Sequence, residues 1–115
     1  MKRTHYCGAL TEEEVGKRVT VCGWVQTKRD MGGVIFIDLR DREGTLQTVF
    51  DARLLTEEDF KLAEGVRNQS VVQITGIMRI RDEETYNPRL KTGTIELAAE
   101  SIFLLSEAAP LPFPM

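Results

Sequence analysis

In Val34-Ile35-Phe36-Ile37-Asp38-Leu39-Arg40 the side chains alternate with a period of two, and no other feature constrains the fold of this chain as tightly. On a strand, Ile35, Ile37 and Leu39 share one face while Phe36, Asp38 and Arg40 share the other. Asp41-Arg42-Glu43-Gly44 reads as a four-residue hairpin loop, with Gly44 free to take a positive φ at its exit. Pairing Arg40 with Thr45 then sets Leu39 opposite Leu46, Ile37 opposite Thr48 and Ile35 opposite Phe50. The same register gathers Phe36, Asp38, Arg40 and Gln47 on the second face, and a slip of one residue would exchange the faces. A phenylalanine among Asp, Arg and Gln is not placed for a core. It is placed to stack on something flat and polar.

The 115 residues suffice for one domain with a single core, and 42% hydrophobic with 29% charged residues is the composition of a folded globular chain. No apolar run is long enough to span a bilayer, and Met1-Lys2-Arg3-Thr4-His5-Tyr6 opens onto no apolar signal-peptide core, so a cytoplasmic location and no membrane partner are expected. Two cysteines, Cys7 and Cys22, and a single His5 argue against a structural zinc site. The cysteines could pair, but buried free thiols in a reducing compartment fit better. A net charge of −3 argues against a binder that relies on a broad cationic surface. It leaves room for a selective reader with local basic residues. Lys28, Arg29, Arg40, Arg42, Arg79, Arg81, Arg89 and Lys91 all fall around the polar face, whereas Glu12-Glu13-Glu14 and Glu57-Glu58-Asp59 lie apart from it.

Along the chain, Thr11-Glu12-Glu13-Glu14 has the form of a capping box, with Gly16 placed to end a one-turn helix. Val19 to Val25 reads as a first strand, with Trp24 assigned to packing, and Lys28 to Gly33 as a charged loop into the second strand. After the third strand, Thr56-Glu57-Glu58-Asp59 starts a helix carrying Phe60, Leu62, Ala63 and Val66, with Arg67 near its end. Val71 to Arg81 is a fourth strand with Val72, Ile74, Met78 and Ile80 on its apolar face and Gly76 at a bulge or bend. Asp82 to Lys91 reads as a long exposed loop, and Thr94 begins a fifth strand that runs, with a break, to Leu105. Three strands, a helix and two strands predict an all-β fold: the five-stranded Greek-key OB-fold barrel, with its helix between the third and fourth strands. Its ligand face, formed by the second and third strands, coincides with the polar aromatic face.

Cys22-Gly23-Trp24-Val25, Arg29-Asp30-Met31-Gly32-Gly33, Phe36 to Gly44 and Gln73-Ile74-Thr75-Gly76 together resemble the N-terminal anticodon-binding domain of bacterial-type aspartyl-tRNA synthetases. Arg3 to Gly8 and Ala109 to Phe113 fit the same family, so the resemblance covers essentially the whole chain. It implies a tRNA anticodon loop as partner and a full-length class II enzyme. That enzyme attaches aspartate to tRNA with ATP and magnesium, as a homodimer. Nothing in the chain resembles the catalytic motifs of that class. Residues 1–108 are therefore expected to form the anticodon-binding domain, itself without cofactor, and 109–115 to begin a linker to a catalytic domain. The alternative is a stand-alone single-stranded nucleic-acid-binding OB module. The reading frame beyond Met115 would separate the two. A protein-interaction domain would need the Phe36 face to be covered.

Phe36 is expected to stack on an unstacked base, the alternative being an aromatic covered by a neighbouring loop. Gln47 can donate and accept, which suits the edge of a uracil, and otherwise would be a solvated strand residue. The resemblance assigns Phe36 and Gln47 to the middle anticodon base, and places Arg29, Arg81 and Glu96 against the anticodon. Either arginine could instead be a surface ion-pair partner, and Glu96, if it reads a base, should accept from amino or imino groups. Asn87 is a further candidate in the second loop, with a turn role as its alternative. Met31 and Thr85, in the two loops, depart from the commoner family pattern near the third anticodon base. They leave open whether aspartate tRNA alone or also asparagine tRNA is accepted, and the reading leans towards both.

Overall fold

The computed structural model describes residues 10–81 and 94–106. The elements run in the order a 3-10 turn at Glu12–Glu14, β1 (Arg18–Asp30), β2 (Val34–Asp41), β3 (Gly44–Asp51), α1 (Glu57–Gly65), β4 (Val71–Ile80) and β5 (Ile95–Ser106). The strands close into a barrel in the order β1-β2-β3-β5-β4, antiparallel except for the parallel β3–β5 pair. This is the OB-fold expected from the pattern, and closure leaves no unpaired sheet edge.

The β2–β3 register is the one the alternation dictates: Arg40 faces Thr45, Leu39 faces Leu46, Ile37 faces Thr48 and Ile35 faces Phe50. The turn is tighter than expected, because Asp41 pairs with Gly44 and leaves only Arg42 and Glu43 outside the ladder. Asp41 accepts from the backbone N–H groups of Glu43 (2.9 Å) and Gly44 (3.2 Å), and Gly44 takes φ 152°. Ile35, Ile37, Leu39, Leu46 and Phe50 are buried with Val19, Val21, Val25, Val72, Ile74, Met78, Leu97 and Ile102 in one core.

Of the three bulges among the described residues, those in the middle of β1 and β5 set which side chains point in. In β1, Val25 pairs with Leu39 but Thr27 with Asp38, so Gln26 is the extra residue. Strict alternation would place Arg29 on the same side as Val25. The bulge reverses the parity and puts Arg29 opposite Phe36 on the outer face. In β5, Ala99 pairs with Gly76 and Ser101 with Thr75, so Glu100 is extra and Ile102 rather than Ser101 returns to the core. The expected break in the fifth strand is this bulge. The strand itself is continuous.

Both caps form. Thr11 and Glu14 make the reciprocal capping box, and Thr56 Oγ1 accepts from Asp59 N at 3.2 Å. Several expectations need correction. β1 extends to Asp30, so Lys28 and Arg29 are strand residues and only Met31–Gly33 form the turn. Lys28 faces away from the outer face and donates to the carbonyls of Glu64 and Val66 (2.8 Å), capping the C-terminal end of α1. Arg67 lies past that end. Ile80 is exposed because β4 outruns the core at its last residue. Among the described residues, no helix is long and apolar enough to cross a membrane.

Candidate nucleic-acid interface

Five register partners line up across the outer face of the barrel. Thr27 (β1) stands opposite Asp38 (β2), Asp38 opposite Gln47 (β3), Gln47 opposite Glu96 (β5), and Glu96 opposite Arg79 (β4). Their side chains bond along this row. Thr27 Oγ1 donates to Asp38 Oδ2 at 2.6 Å, Gln47 Nε2 to Glu96 Oε1 at 2.8 Å, and Arg79 Nε to Glu96 Oε2 at 2.6 Å. The pleat forces this arrangement, since every member sits at the outward phase of its strand.

Beside the row, Phe36 is half-buried on β2, and the Arg29 guanidinium carbon lies 5.5 Å from its ring centroid. Arg29 Nη2 also donates to Gln47 Oε1 at 3.1 Å. Arg81, just past the end of β4, is only 5% exposed, and its Nε donates to the Ile95 carbonyl at 3.0 Å. Burial pushes its pKa below the ordinary arginine value, against the opposing pull of Asp38 and Glu96. Arginine nonetheless stays charged in proteins. Three arginines thus share this face with two carboxylates, Arg29 alone standing over the Phe36 ring, and Arg40, exposed on the same face, adds a further positive charge. The patch is locally cationic on a chain of net charge −3.

Arg29, Phe36, Gln47, Arg81 and Glu96 are therefore brought together. Gln47, at 4% exposure, is not a solvated strand glutamine, and Arg81 is not a surface arginine. Glu96, at 8% exposure, has both carboxylate oxygens engaged within the protein. Met31 stands apart at the tip of the β1–β2 turn, 68% exposed. Asn87 and Thr85, with Arg89 and Lys91, lie outside the described residues. Two further members of the row are Arg79, which the sequence places around the polar face without a role at the site, and Thr27, which it does not place there. The alternation of β4 placed Arg79 in phase with Arg81, but Thr27 needed the bulge at Gln26, which carries no signal in its sequence.

Such a face can stack one base on Phe36, read its edge with Gln47 and neutralise backbone phosphate with arginine. Residues 19–105 match the tRNA anticodon family model, described as an OB-fold nucleic acid binding domain. The chain is 50% identical over 111 residues to the aspartate–tRNA(Asp/Asn) ligase of Bacillus subtilis, covering 96% of this chain and 19% of the relative. It is 46% identical over 112 residues to the aspartate–tRNA ligase of Staphylococcus carnosus, covering 97% and 19%. The aspartyl-tRNA synthetase structure from Entamoeba histolytica superimposes with a TM-score of 0.81 at 26% identity, over 99% of this chain and 23% of that one. The chain thus spans about a fifth of the length of the curated relatives it matches. With its closed barrel, its outward polar row and a family match over most of its length, this chain belongs to the OB-fold nucleic acid binding domains, in the branch shared with bacterial aspartate–tRNA ligases.

Proposed function

We propose that this chain is the anticodon-reading module of an aspartate–tRNA ligase. The observation that carries the reading is the joining of Phe36, Arg29, Gln47 and Glu96 into one connected surface across the first, second, third and fifth strands. Phe36 stacks the middle anticodon base, Gln47 reads its edge, and Arg29 and Arg81 serve the neighbouring base edges and phosphates. Glu96 faces the anticodon and accepts from base amino or imino groups, and Asn87 contributes from the second loop. Residues 1–108 form this domain and 109–115 begin the linker onward. The whole enzyme is a cytoplasmic homodimer that activates aspartate with ATP and magnesium. The chain spans about a fifth of the length of its curated relatives, and the proposal assigns that chemistry to the rest of the enzyme.

Binding of an aspartate-type anticodon stem-loop, measured against an unrelated hairpin over a salt series, tests the reading. Selective binding that weakens with salt is expected, because phosphate contacts release counterions. Equal affinity for the two hairpins would overturn it.

A further inference from the structure

Gln47 has no freedom to choose its own orientation. A carboxylate only accepts and a guanidinium only donates, so Nε2 must face Glu96 and Oε1 must face Arg29. Turning the amide over would set acceptor against acceptor at one end and donor against donor at the other. At 4% exposure, water cannot easily relieve that mismatch. The lock is only as firm as Glu96, whose carboxylate could otherwise rotate away. Arg79 prevents this by holding the second oxygen from the directly opposite position on β4, at 2.6 Å. Arg79 itself is 46% exposed, and it meets the groups assigned to the bases through Glu96.

We infer that Arg79 is a positioning residue: by clamping Glu96 it locks the Gln47 amide in one orientation, which lets the face tell one pyrimidine from the other. The inference rests on the nucleic-acid reading above. Uracil presents an N3–H donor beside the O4 acceptor. Cytosine presents an N3 acceptor beside the N4 amino donor. For a base held in one place on Phe36, the two edges require opposite orientations of the amide. A locked amide discriminates between them, whereas a freed one takes either.

Binding by the 115-residue chain is compared for stem-loops that carry uracil or cytosine at the base stacked on Phe36, that position being located by its sensitivity to Phe36→Ala. Arg79→Met should retain uracil-loop binding within a few-fold while the uracil-to-cytosine ratio falls by about tenfold or more, within the range one paired edge contact supplies. Arg79→Lys should restore part of the ratio. Gln47→Ala should lower it equally, and the double variant no further, because the two residues act in series. Independently of RNA, the side-chain amide protons of Gln47 should lose protection from exchange in Arg79→Met. A uniform loss of affinity for both loops, or an unaltered Gln47 amide, would overturn the positioning role and leave the nucleic-acid reading standing. Absence of binding by the unsubstituted chain would instead overturn that reading and this inference together.

Discussion

Arg29 lies directly across the β1–β2 ladder from Phe36, with its guanidinium carbon 5.5 Å from the ring centroid. The contact is a cation–π pair at a partly exposed site, worth on the order of 0.5–1 kcal/mol. Without nucleic acid, the arginine therefore covers part of the surface on which a base would stack. Its second bond, to Gln47, ties stacking and edge reading to one side chain. An incoming base must share the ring with Arg29 or move it, and a phosphate close by would help draw the guanidinium aside.

Phe36→Ala should weaken stem-loop binding by roughly 1–3 kcal/mol, the range for one base–aromatic stack. The ring is half-buried, so its loss should cost about 1 kcal/mol of stability. Ile37→Ala, one residue on and fully buried, should cost about 2–5 kcal/mol of stability. Denaturant unfolding and RNA titration on the same two variants check this. Exchanged phenotypes would mean the wrong face has been assigned.

Lys28 and Arg29 are neighbours in sequence with opposite assignments. Lys28→Met removes a positive charge and a donor from the C-terminal carbonyls of α1, so it should destabilise the fold by about 0.3–2 kcal/mol and leave the salt dependence of RNA binding unchanged. Arg29→Met should instead lower RNA affinity and flatten its salt dependence, with a stability loss of about 1–3 kcal/mol because the buried Gln47 oxygen loses its donor. A shallower salt slope for Lys28→Met would return that lysine to the binding face.

How much of this was legible in the sequence divides along the bulges. The β2–β3 hairpin could be read to the residue because Ile35, Ile37, Leu39, Leu46 and Phe50 leave a single register that buries them all. The grouping of Phe36 with Gln47 followed from it. Beyond Val25 the period-2 argument fails, because one bulged residue inverts every later position of β1. Lys28 falls among the outer basic residues in the sequence because Lys28 to Gly33 reads there as a loop, whereas it is a strand residue that caps a helix. The engagement of Gln47 and Glu96 was equally out of reach, since it depends on the parallel pairing of two strands some fifty residues apart.

Gly76→Ala should destabilise the barrel by about 1–3 kcal/mol or more, without a direct effect on the outer row. A β-carbon built at Gly76 would run into the Ala98 carbonyl, and backbone at a bulge cannot yield as a flexible side chain does. Thermal unfolding of the variant tests the point. A stability equal to that of the unsubstituted chain would show that β5 can shift away from β4.

Asp51 ends β3 and accepts from both the side chain and the backbone N–H of Arg53, at 2.9 Å from Nη2 and 2.9 Å from the amide. Arg53 hydrogen bonding lowers its pKa to about 2. A depressed carboxylate pKa adds stability that is present above the unfolded value of about 3.9 and is lost as pH falls towards 2. The stability difference between the chain and Asp51→Asn should therefore shrink over that window at low salt. A carboxyl resonance of Asp51 titrating near 4 would contradict it.

The last prediction concerns tRNA choice, and it turns on the tip of the β1–β2 turn. Asp30 Oδ1 accepts from Gly32 N at 2.9 Å, and Met31 N donates to the Val34 carbonyl at 2.9 Å, so the turn is closed by its own groups. What Met31 offers outward is a flexible thioether chain, 68% exposed, with no directional donor or acceptor for a base edge. Thr85, the partner position in the second loop, lies outside the described residues and lacks the paired donor and acceptor of an amide. Discrimination by shape alone is commonly limited to about 10–200-fold, whereas a site that must leave a buried polar group unpaired reaches about 10⁴ or more. Aminoacylation of the two transcripts with aspartate by the full-length enzyme should therefore differ by no more than about a hundredfold. A preference for aspartate tRNA of about a thousandfold or more would show that some directional contact at the third base has been supplied from elsewhere, and would end the case for shape alone.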